Sequence, residues 1–305
     1  MKKIFHFLLI VSMVFLVISC KDSTNLESTP TDNIPNTKDA VDVIVMAGQS
    51  NMEGHSWSSK LLQNTDSSMH QYYTKGFENT KIMYYSNNGK NKSDVFLPVK
   101  LGQGYDSGSF GPEIGVAEEL YNRGIDKPVY LIKYALGATS LYKNWNVDEL
   151  NSLYHEMVNY VYDQLLVLEE SGYRVFIKGF FWMQGEADAA ELISANQVAK
   201  YYDNISKLVS SFRAEFEEYY GMPERGIAFV DAGISDYSVY KFHSIVNQCK
   251  QDFAQDDPEK NYYIDSMQEG LEYKEDNTDY YHFDATSELK LGRLFVSKLL
   301  DNEWL

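Results

Sequence analysis

The sequence predicts an α/β fold with a central parallel sheet and helices on both of its faces. Short runs rich in Val, Ile and Phe alternate with longer segments of helical periodicity from about residue 40 onward, and this alternation is typical of a parallel sheet covered by helices. Several of the apolar runs also end in turns of small or polar residues. In open sheets of this kind, ligands bind at the carboxyl ends of the strands.

The first strand is predicted at 42–47, where a run rich in Val and Ile indicates a buried strand. Gly48 ends this strand, because glycine gives the backbone the freedom for a sharp exit. Residues 55–105 fit no helical or strand pattern well. They are predicted to form a long excursion over the ligand-binding edge of the sheet.

The next element is a helix that begins at 111–113 and runs to about Asn122. Proline is favoured in the first turn of a helix, and Pro112 stands there, while Gly124 lies near the predicted end. Beyond this helix the alternation continues. Strands are predicted at 128–134, 174–182, 226–231 and 262–265, and helices at 147–170, 191–219, 239–253 and 285–300.

The amino terminus has the pattern of a signal peptide over residues 1–19. A positive start, Met1-Lys2-Lys3, precedes an apolar core from Ile4 to Ile18 that is too short to span a membrane. The end of this segment, Ser19-Cys20, resembles the lipobox of bacterial lipoproteins, in which the cysteine receives the lipid. The resemblance implies an extracytoplasmic protein, periplasmic or at the outer membrane or cell surface, that is held at a membrane by acyl chains on Cys20. An ordinary secretory signal with an incidental cysteine is the alternative.

Residues 20–39 are rich in Ser, Thr, Asn, Pro and Asp and have almost no apolar side chain. Such a segment cannot bury enough surface to fold, so it is predicted to be a flexible tether. Residues 40–305 have a globular composition without repeats, and they are predicted to form one domain. Cys249 is then left as a lone cysteine, so no disulfide framework is implied. Its side chain is predicted to be small, apolar and buried.

The charge of the chain limits its partners. The sequence has 27 basic and 44 acidic residues, a formal net charge of −17. A surface of this sign repels nucleic acid, so no nucleic-acid partner is expected, and it favours an uncharged substrate over a polyanion.

The turn after the first strand contains one serine, Ser50. If a helix begins there, its backbone N–H groups favour negative charge next to the serine oxygen, which suits a nucleophile. The alternative is a polar turn in which the serine only caps a helix. A serine hydroxyl is a weak nucleophile until a base removes its proton. His282 stands in a polar loop before the last helix, and Asp279 is placed to fold back and accept its Nδ1 proton.

Five short blocks carry a resemblance to a known family. Together they resemble the sialate O-acetylesterase-like domain of the SGNH hydrolases, akin to carbohydrate esterase family six, whose members include acetylxylan esterases. Their order and spacing agree across nearly the whole predicted domain. The blocks are 48–52 (Gly-Gln-Ser-Asn-Met), 110–113 (Phe-Gly-Pro-Glu), 137–140 (Gly-Ala-Thr-Ser) with Trp145, 182–188 (Trp-Met-Gln-Gly-Glu-Ala-Asp), and 279–283 with Asp279, His282 and Phe283.

The resemblance implies a flavodoxin-like three-layer α/β/α sandwich and serine-dependent removal of acetyl groups from sugars, without a metal or other cofactor. Ser50 matches the nucleophile, His282 the base and Asp279 the acid that orients it. The backbone N–H groups of Ser50 and Gly137 and the side-chain amide of Gln184 match the oxyanion hole, with Gly111 as the alternative to Gly137. The residues expected to support the substrate or these groups are Gln49, Asn51, Glu186 and Asp188.

Some alternatives stay open at this stage. Glu186 and Asp188 are acidic and close in sequence, but no clustered histidine accompanies them, so bracing of Gln184 is favoured over metal binding. Acetylated xylan, other polysaccharides and 9-O-acetylated sialic acid all fit as substrates. The rival functions are a non-catalytic glycan-binding lipoprotein and an ester hydrolase of other acyl specificity.

Overall fold

The computed structural model describes residues 39–190, 192–274 and 279–305. The predicted signal peptide, Cys20 and the tether up to residue 38 lie outside the described residues. Within the described ranges, no helix has both the length and the apolar character needed to cross a bilayer.

The described part of the chain alternates between strands and helices. The strands are β1 (Ala40–Gly48), β2 (Ser56–Trp57), β3 (Phe77–Ser86), β4 (Asn91–Lys92), β5 (Leu97–Val99), β6 (Ser109–Phe110), β7 (Val129–Ala135), β8 (Arg174–Met183), β9 (Ala228–Ala232) and β10 (Asn261–Ile264). The α-helices are α1 (Ser50–Glu53), α2 (Ser58–Asn64), α3 (Ser67–Lys75), α4 (Glu113–Asn122), α5 (Leu153–Glu170), α6 (Glu186–Ala189), α7 (Ala195–Val198), α8 (Tyr201–Tyr220), α9 (His243–Asp256) and α10 (Ala285–Asp301).

The main sheet has the strand order β10-β9-β8-β1-β7-β3-β4, and β5 also pairs with β3. The pairs from β10 across to β3 are parallel, whereas β4 and β5 pair with β3 in the antiparallel direction. At the carboxyl end of β1, Gly48 is in register with Ala135 of β7 on one side and Met183 of β8 on the other. After β1, the chain first forms β3 and β7 on one side of β1 and then β8, β9 and β10 on the other side. The turn after Gly48 therefore lies at a topological switch point, where such sheets bind ligands.

Helices cover both faces of the sheet. Neighbouring residues of β8 point to opposite faces, and Phe180 stacks on Phe212 of α8, whereas Phe181 stacks on Phe295 of α10. Helix α4 packs against α10 on one face, and α5 and α9 lie with α8 on the other. The predicted three-layer α/β/α sandwich with a central parallel sheet is confirmed.

Two predicted elements differ from the structure. The helix predicted at 191–219 is divided into α7 and α8, and α8 begins only at Tyr201. The segment 55–105 is not only an excursion over the edge, because it contains β3, which is hydrogen-bonded to β7 inside the sheet. Glu78 and Asn79 in the first half of β3 are exposed. Because these polar residues precede the buried ones, the sequence does not show the apolar run that is typical of a buried strand. Helices α5 and α9 begin six and four residues later than predicted, at Leu153 and His243.

Candidate active site

Ser50 is the first residue of α1 and follows β1 directly. The turn is tight because Gly48 has φ +149°, and a Cβ at this position would lie 2.0 Å from the backbone oxygen of Met183. Gln49 N donates to the same oxygen at 2.9 Å. Only glycine allows the end of β1 to approach β8 so closely, and this approach places Ser50 at the edge of the sheet.

The predicted pair of Asp279 and His282 is present in the structure. His282 Nδ1 lies 2.8 Å from Asp279 Oδ2. Because a carboxylate only accepts, Nδ1 carries the hydrogen and Nε2 is left as the basic nitrogen. Lys274 Nζ donates to the same Asp279 oxygen at 2.7 Å. Burial acts to raise the pKa of Asp279. The hydrogen bonds from His282 and Lys274 outweigh this effect and lower the pKa well below its ordinary value.

Asn51 holds the histidine loop against the start of α1. Its Nδ2 donates to Glu186 Oε1 at 2.7 Å and to the backbone oxygen of Tyr281 at 3.3 Å, and its Oδ1 accepts from the N–H of Phe283 at 3.2 Å. Asn51 therefore binds the residues on either side of His282. This contact brings together Ser50 and His282, which are separated by most of the chain.

A second histidine, His55, stacks on His282. The ring centroids are 4.2 Å apart and the planes are inclined by 11°, while the other face of His55 stacks on Tyr105 at 4.4 Å. His55 Nε2 lies 3.0 Å from Glu53 Oε2. Sequence reasoning assigned no role to Glu53 or His55, although their position directly after Ser50 was a signal that they face the same site.

Glu53 occupies the donor that was predicted to bind the oxyanion. The N–H of Gly137 donates to Glu53 Oε2 at 3.0 Å, and the other oxygen accepts from the N–H of Asn87 at 2.6 Å. Gly111 offers no free alternative, since its N–H donates to Glu113 Oε1 at 2.9 Å. In this structure, therefore, neither glycine presents a free N–H, because a carboxylate already accepts from each.

Gln184 does not point into the site as predicted. Its side chain is fully buried, and Nε2 donates to Asp188 Oδ2 at 2.6 Å and to the backbone oxygen of Thr139 at 3.0 Å. An amide nitrogen has two hydrogens, so none remains for an oxyanion in this arrangement. Gln49 Oε1 lies 3.2 Å from the same nitrogen and also accepts from the N–H of Ala187. Gln49, Gln184 and Asp188 thus brace the turns after β7 and β8.

Ser50 retains free groups for chemistry. Among the described residues, the N–H and the Oγ of Ser50 and the Nε2 of His282 make no hydrogen bond. Burial lowers the pKa of His282 below its ordinary value of 6.5; Asp279 opposes this change and His55 reinforces it. His282 is therefore neutral at neutral pH, which is the protonation state that a general base requires.

Ser50 and His282 line one cavity of about 920 Å³ at the carboxyl edge of the sheet. The rings of Tyr105 and Tyr281 stand at this cavity with 38% and 49% of their surface exposed. Asn87 is among the uncharged polar residues of the lining. Within the described ranges, no group of three or more His, Cys, Asp or Glu side chains is arranged to hold a metal ion.

The fold and this site define a class. A serine that follows the first strand of a parallel sheet and shares a cavity with a histidine–aspartate pair from near the end of the chain is the arrangement of an SGNH-type hydrolase. The chain belongs to the carbohydrate esterase, sialic acid-specific acetylesterase family, which matches residues 40–301. It is accordingly a carboxylic ester hydrolase, and the predicted family is confirmed.

Solved structures share this fold. A protein from Arabidopsis thaliana is 20% identical with a TM-score of 0.58, over 86% of this chain and 98% of that chain. NanS is 14% identical with a TM-score of 0.61, over 87% of this chain and 98% of that chain. XAC1771, a carbohydrate acetylesterase from Xanthomonas citri, is 15% identical with a TM-score of 0.51, over 83% of this chain but 55% of that chain. A comparison with curated protein sequences found no match.

Proposed function

We propose that this protein is a serine-dependent carbohydrate O-acetylesterase that releases acetate from acetylated glycans. The observation that carries the proposal is that Ser50 and the Asp279-bound His282 line one cavity with exposed tyrosine rings. The family to which the chain belongs supports an ester as the substrate.

The reaction follows from the free groups of the site. As Ser50 Oγ attacks the acetyl carbonyl carbon, His282 Nε2 takes its proton, and Asp279 stabilises the imidazolium through Nδ1. The tetrahedral intermediate collapses when the C–O bond to the sugar breaks and Nε2 gives the proton to the departing sugar oxygen. Water then attacks the acetyl group on Ser50 with the same help from His282, and acetate leaves.

The oxyanion meets the backbone N–H of Ser50, which is free in the structure. The N–H of Gly137 joins it if the ester oxygen displaces Glu53 Oε2, which now lies 3.0 Å from that donor. Each donor of this kind contributes about a hundredfold to a thousandfold in rate. Gln184 acts through position, because it holds the turn that contains Thr139.

The lining of the cavity suits a sugar as the alcohol part of the ester. The C–H groups on one face of a pyranose ring pack well on aromatic rings, and Tyr105 and Tyr281 present such rings. The side chains of Asn87 and Asn88 offer uncharged donors and acceptors for hydroxyl groups.

The proposal is tested by acetate release from acetylated xylo-oligosaccharides and from p-nitrophenyl acetate. Ser50→Ala is expected to lower kcat by at least about ten-thousandfold on both substrates, because it removes the nucleophile. Ser210→Ala is the matched control, since Ser210 is an exposed residue of α8. Equal activity of the parent and Ser50→Ala would refute the serine mechanism.

A second measurement separates the rival functions. The parent is assayed on p-nitrophenyl esters of increasing acyl length, and acetyl is expected to give the highest kcat/KM. A preference for long acyl chains would assign the protein to another class of ester hydrolase. Glycan binding without hydrolysis of any ester would instead indicate a non-catalytic binding protein.

We also propose, from the sequence alone, that Cys20 carries acyl chains that anchor the protein to an extracytoplasmic membrane surface. The expected result is metabolic labelling of the full chain by a palmitate analogue and its recovery in the membrane fraction. Cys20→Ala is expected to abolish both. Labelling that persists in this variant would contradict the proposal.

A further inference from the structure

The cavity that contains Ser50 has no cationic side chain of its own. Among the described residues that line it, none is lysine or arginine, whereas Glu53 and Glu186 are both present. The internal residues outside the described ranges, Glu191 and 275–278, also include no lysine or arginine in the sequence.

Three buried lysines near the site are paired with carboxylates and do not line the cavity. Lys133 Nζ lies 2.9 Å from Glu113 Oε2, and both side chains are fully buried. Lys274 binds Asp279 at 2.7 Å. Lys250 binds Asp231 below the site, where both side chains are buried. The cavity is therefore acidic by composition, and no lysine or arginine lines it beside Glu53.

A charged sugar would bind here at a cost. Its carboxylate would lose hydration without gaining a cationic partner, and it would meet the Glu53 carboxylate in a partly desolvated space, where like charges repel more strongly than in water. A neutral sugar has no such penalty, because its hydroxyl groups match the amides of Asn87, Asn88 and Asn144.

We infer that the sugar unit that carries the acetyl ester is uncharged, and that Glu53 is a specificity-determining residue that disfavours sialic and uronic acids in this position. The inference rests on the proposed function and narrows its substrate class. It concerns the esterified sugar only, since Lys143 and Lys200 line a separate neighbouring cavity together with Asp148 and Glu149.

The experiment uses substrates that differ only in charge. Acetate release is measured from an O-acetylated methyl glucuronoside and from its carboxamide, with an O-acetylated methyl xyloside and p-nitrophenyl acetate as references. We expect kcat/KM for the carboxamide to exceed that for the free acid by about tenfold or more at low salt. The ratio of kcat/KM for the carboxamide to kcat/KM for the free acid is expected to decrease as the NaCl concentration rises from about 0.05 to 0.5 M, because salt screens exposed charges.

A charge placed at the rim tests the cause. Leu192 lines the cavity and is 97% exposed, so Leu192→Arg adds a cation there without disturbing packing. It is expected to raise kcat/KM for the free acid several-fold relative to Leu192→Gln, the neutral control. Val95→Arg adds the same charge at a residue that is 58% exposed and outside the lining. Val95→Arg is expected to leave the ratio of kcat/KM for the free acid to kcat/KM for the carboxamide unchanged.

The outcomes separate the two proposals. Equal or faster hydrolysis of the free acid overturns the inference and leaves the esterase function in place. Turnover of p-nitrophenyl acetate without turnover of either the xyloside or the carboxamide also overturns it. An equal gain from Val95→Arg and Leu192→Arg would show that the cavity is not the origin of the discrimination. Absence of hydrolysis of every ester would instead refute the proposed function.

Discussion

His282 shows how single residues tune this site. Its pKa is lowered by burial, raised by Asp279 and lowered again by the stacked His55. The pair with Asp279 therefore orients the ring without making it a cation at neutral pH. A base is active when it is neutral, so a lowered pKa extends activity toward lower pH.

The pH dependence of kcat/KM tests this balance. We expect the acid limb of the profile to have its midpoint below the ordinary histidine value of 6.5. His55→Gln removes one cause of the lowered pKa and is expected to move this midpoint upward. His70→Gln, on α3, is the control and is expected to leave it in place. A midpoint that does not move in His55→Gln would show that the stacked ring does not affect the base.

Gln184 can be tested as a positioning residue. Gln184→Ala leaves the buried carboxylate of Asp188 without one of its donors, and it is expected to lower the free energy of unfolding by about 2 kcal/mol together with kcat. The measurement combines urea unfolding with steady-state kinetics. A residue that acted only as an oxyanion donor would lower kcat by about a hundredfold with no loss of stability, which is the contrary result.

At the scale of elements, helices α4 and α10 meet through two glycines. A Cβ on Gly115 would lie 2.0 Å from the backbone oxygen of Leu289, and a Cβ on Gly292 would lie 2.0 Å from that of Pro112. The backbones are therefore in direct contact, and α10 begins directly after the histidine loop. This contact fixes the position of the loop that carries His282.

Substitution of this contact is expected to destabilise the protein. Gly115→Ala forces the helices apart and is expected to lower the free energy of unfolding by about 3 kcal/mol, since overpacking strains the surrounding backbone. Gly124→Ala is not a suitable control, because Gly124 has φ +69°. Ala214→Gly, at an exposed position of α8, gives the ordinary effect of a glycine–alanine change in a helix, about 1 kcal/mol. The same preference favours Gly115→Ala, so a gain in stability of about this size in Gly115→Ala would contradict the close packing.

At the scale of the whole molecule, Glu288 links stability to pH. The side chain is fully buried, and neither carboxyl oxygen has a hydrogen-bond partner among the described residues. Burial and then the charge of Glu113 raise the pKa of Glu288 well above 4.5, although Lys133 and Lys274 oppose the change. The folded protein therefore retains a proton that the unfolded chain loses.

The sign of the effect follows from this proton. A raised pKa stabilises the folded state below the unfolded value of 4.5, and the contribution is lost as the pH rises above it. Glu288→Gln cannot ionise, so its Tm is expected to fall less than that of the parent between about pH 5 and 8. Glu218→Gln, on the exposed side of α8, is expected to retain the parental slope. Identical slopes in the parent and Glu288→Gln would exclude this source of pH dependence.

The predictions from sequence succeeded where the signal is local. The strand from Ala40 to Gly48 is predicted by a continuous apolar run. Asp279 and His282 are only three residues apart in the sequence. The prediction for β3 failed because polar residues in its first half interrupt the apolar pattern, while the burial of the strand depends on tertiary contacts. The role of Gln184 could not be predicted, because the orientation of its amide is set by Asp188 and Thr139 in the folded protein.

By itself, the sequence determined the three-layer class, the family, and the candidate residues Ser50, Asp279 and His282, because periodicity, glycine turns and short motifs are properties of neighbouring residues. The tertiary structure alone decided which groups are free. Glu53 binds the N–H of Gly137 from another strand end, and His55 stacks on His282 from the opposite end of the domain. Hydrogen bonds and charge in a cavity depend on distances across the sheet, and only folding sets those distances.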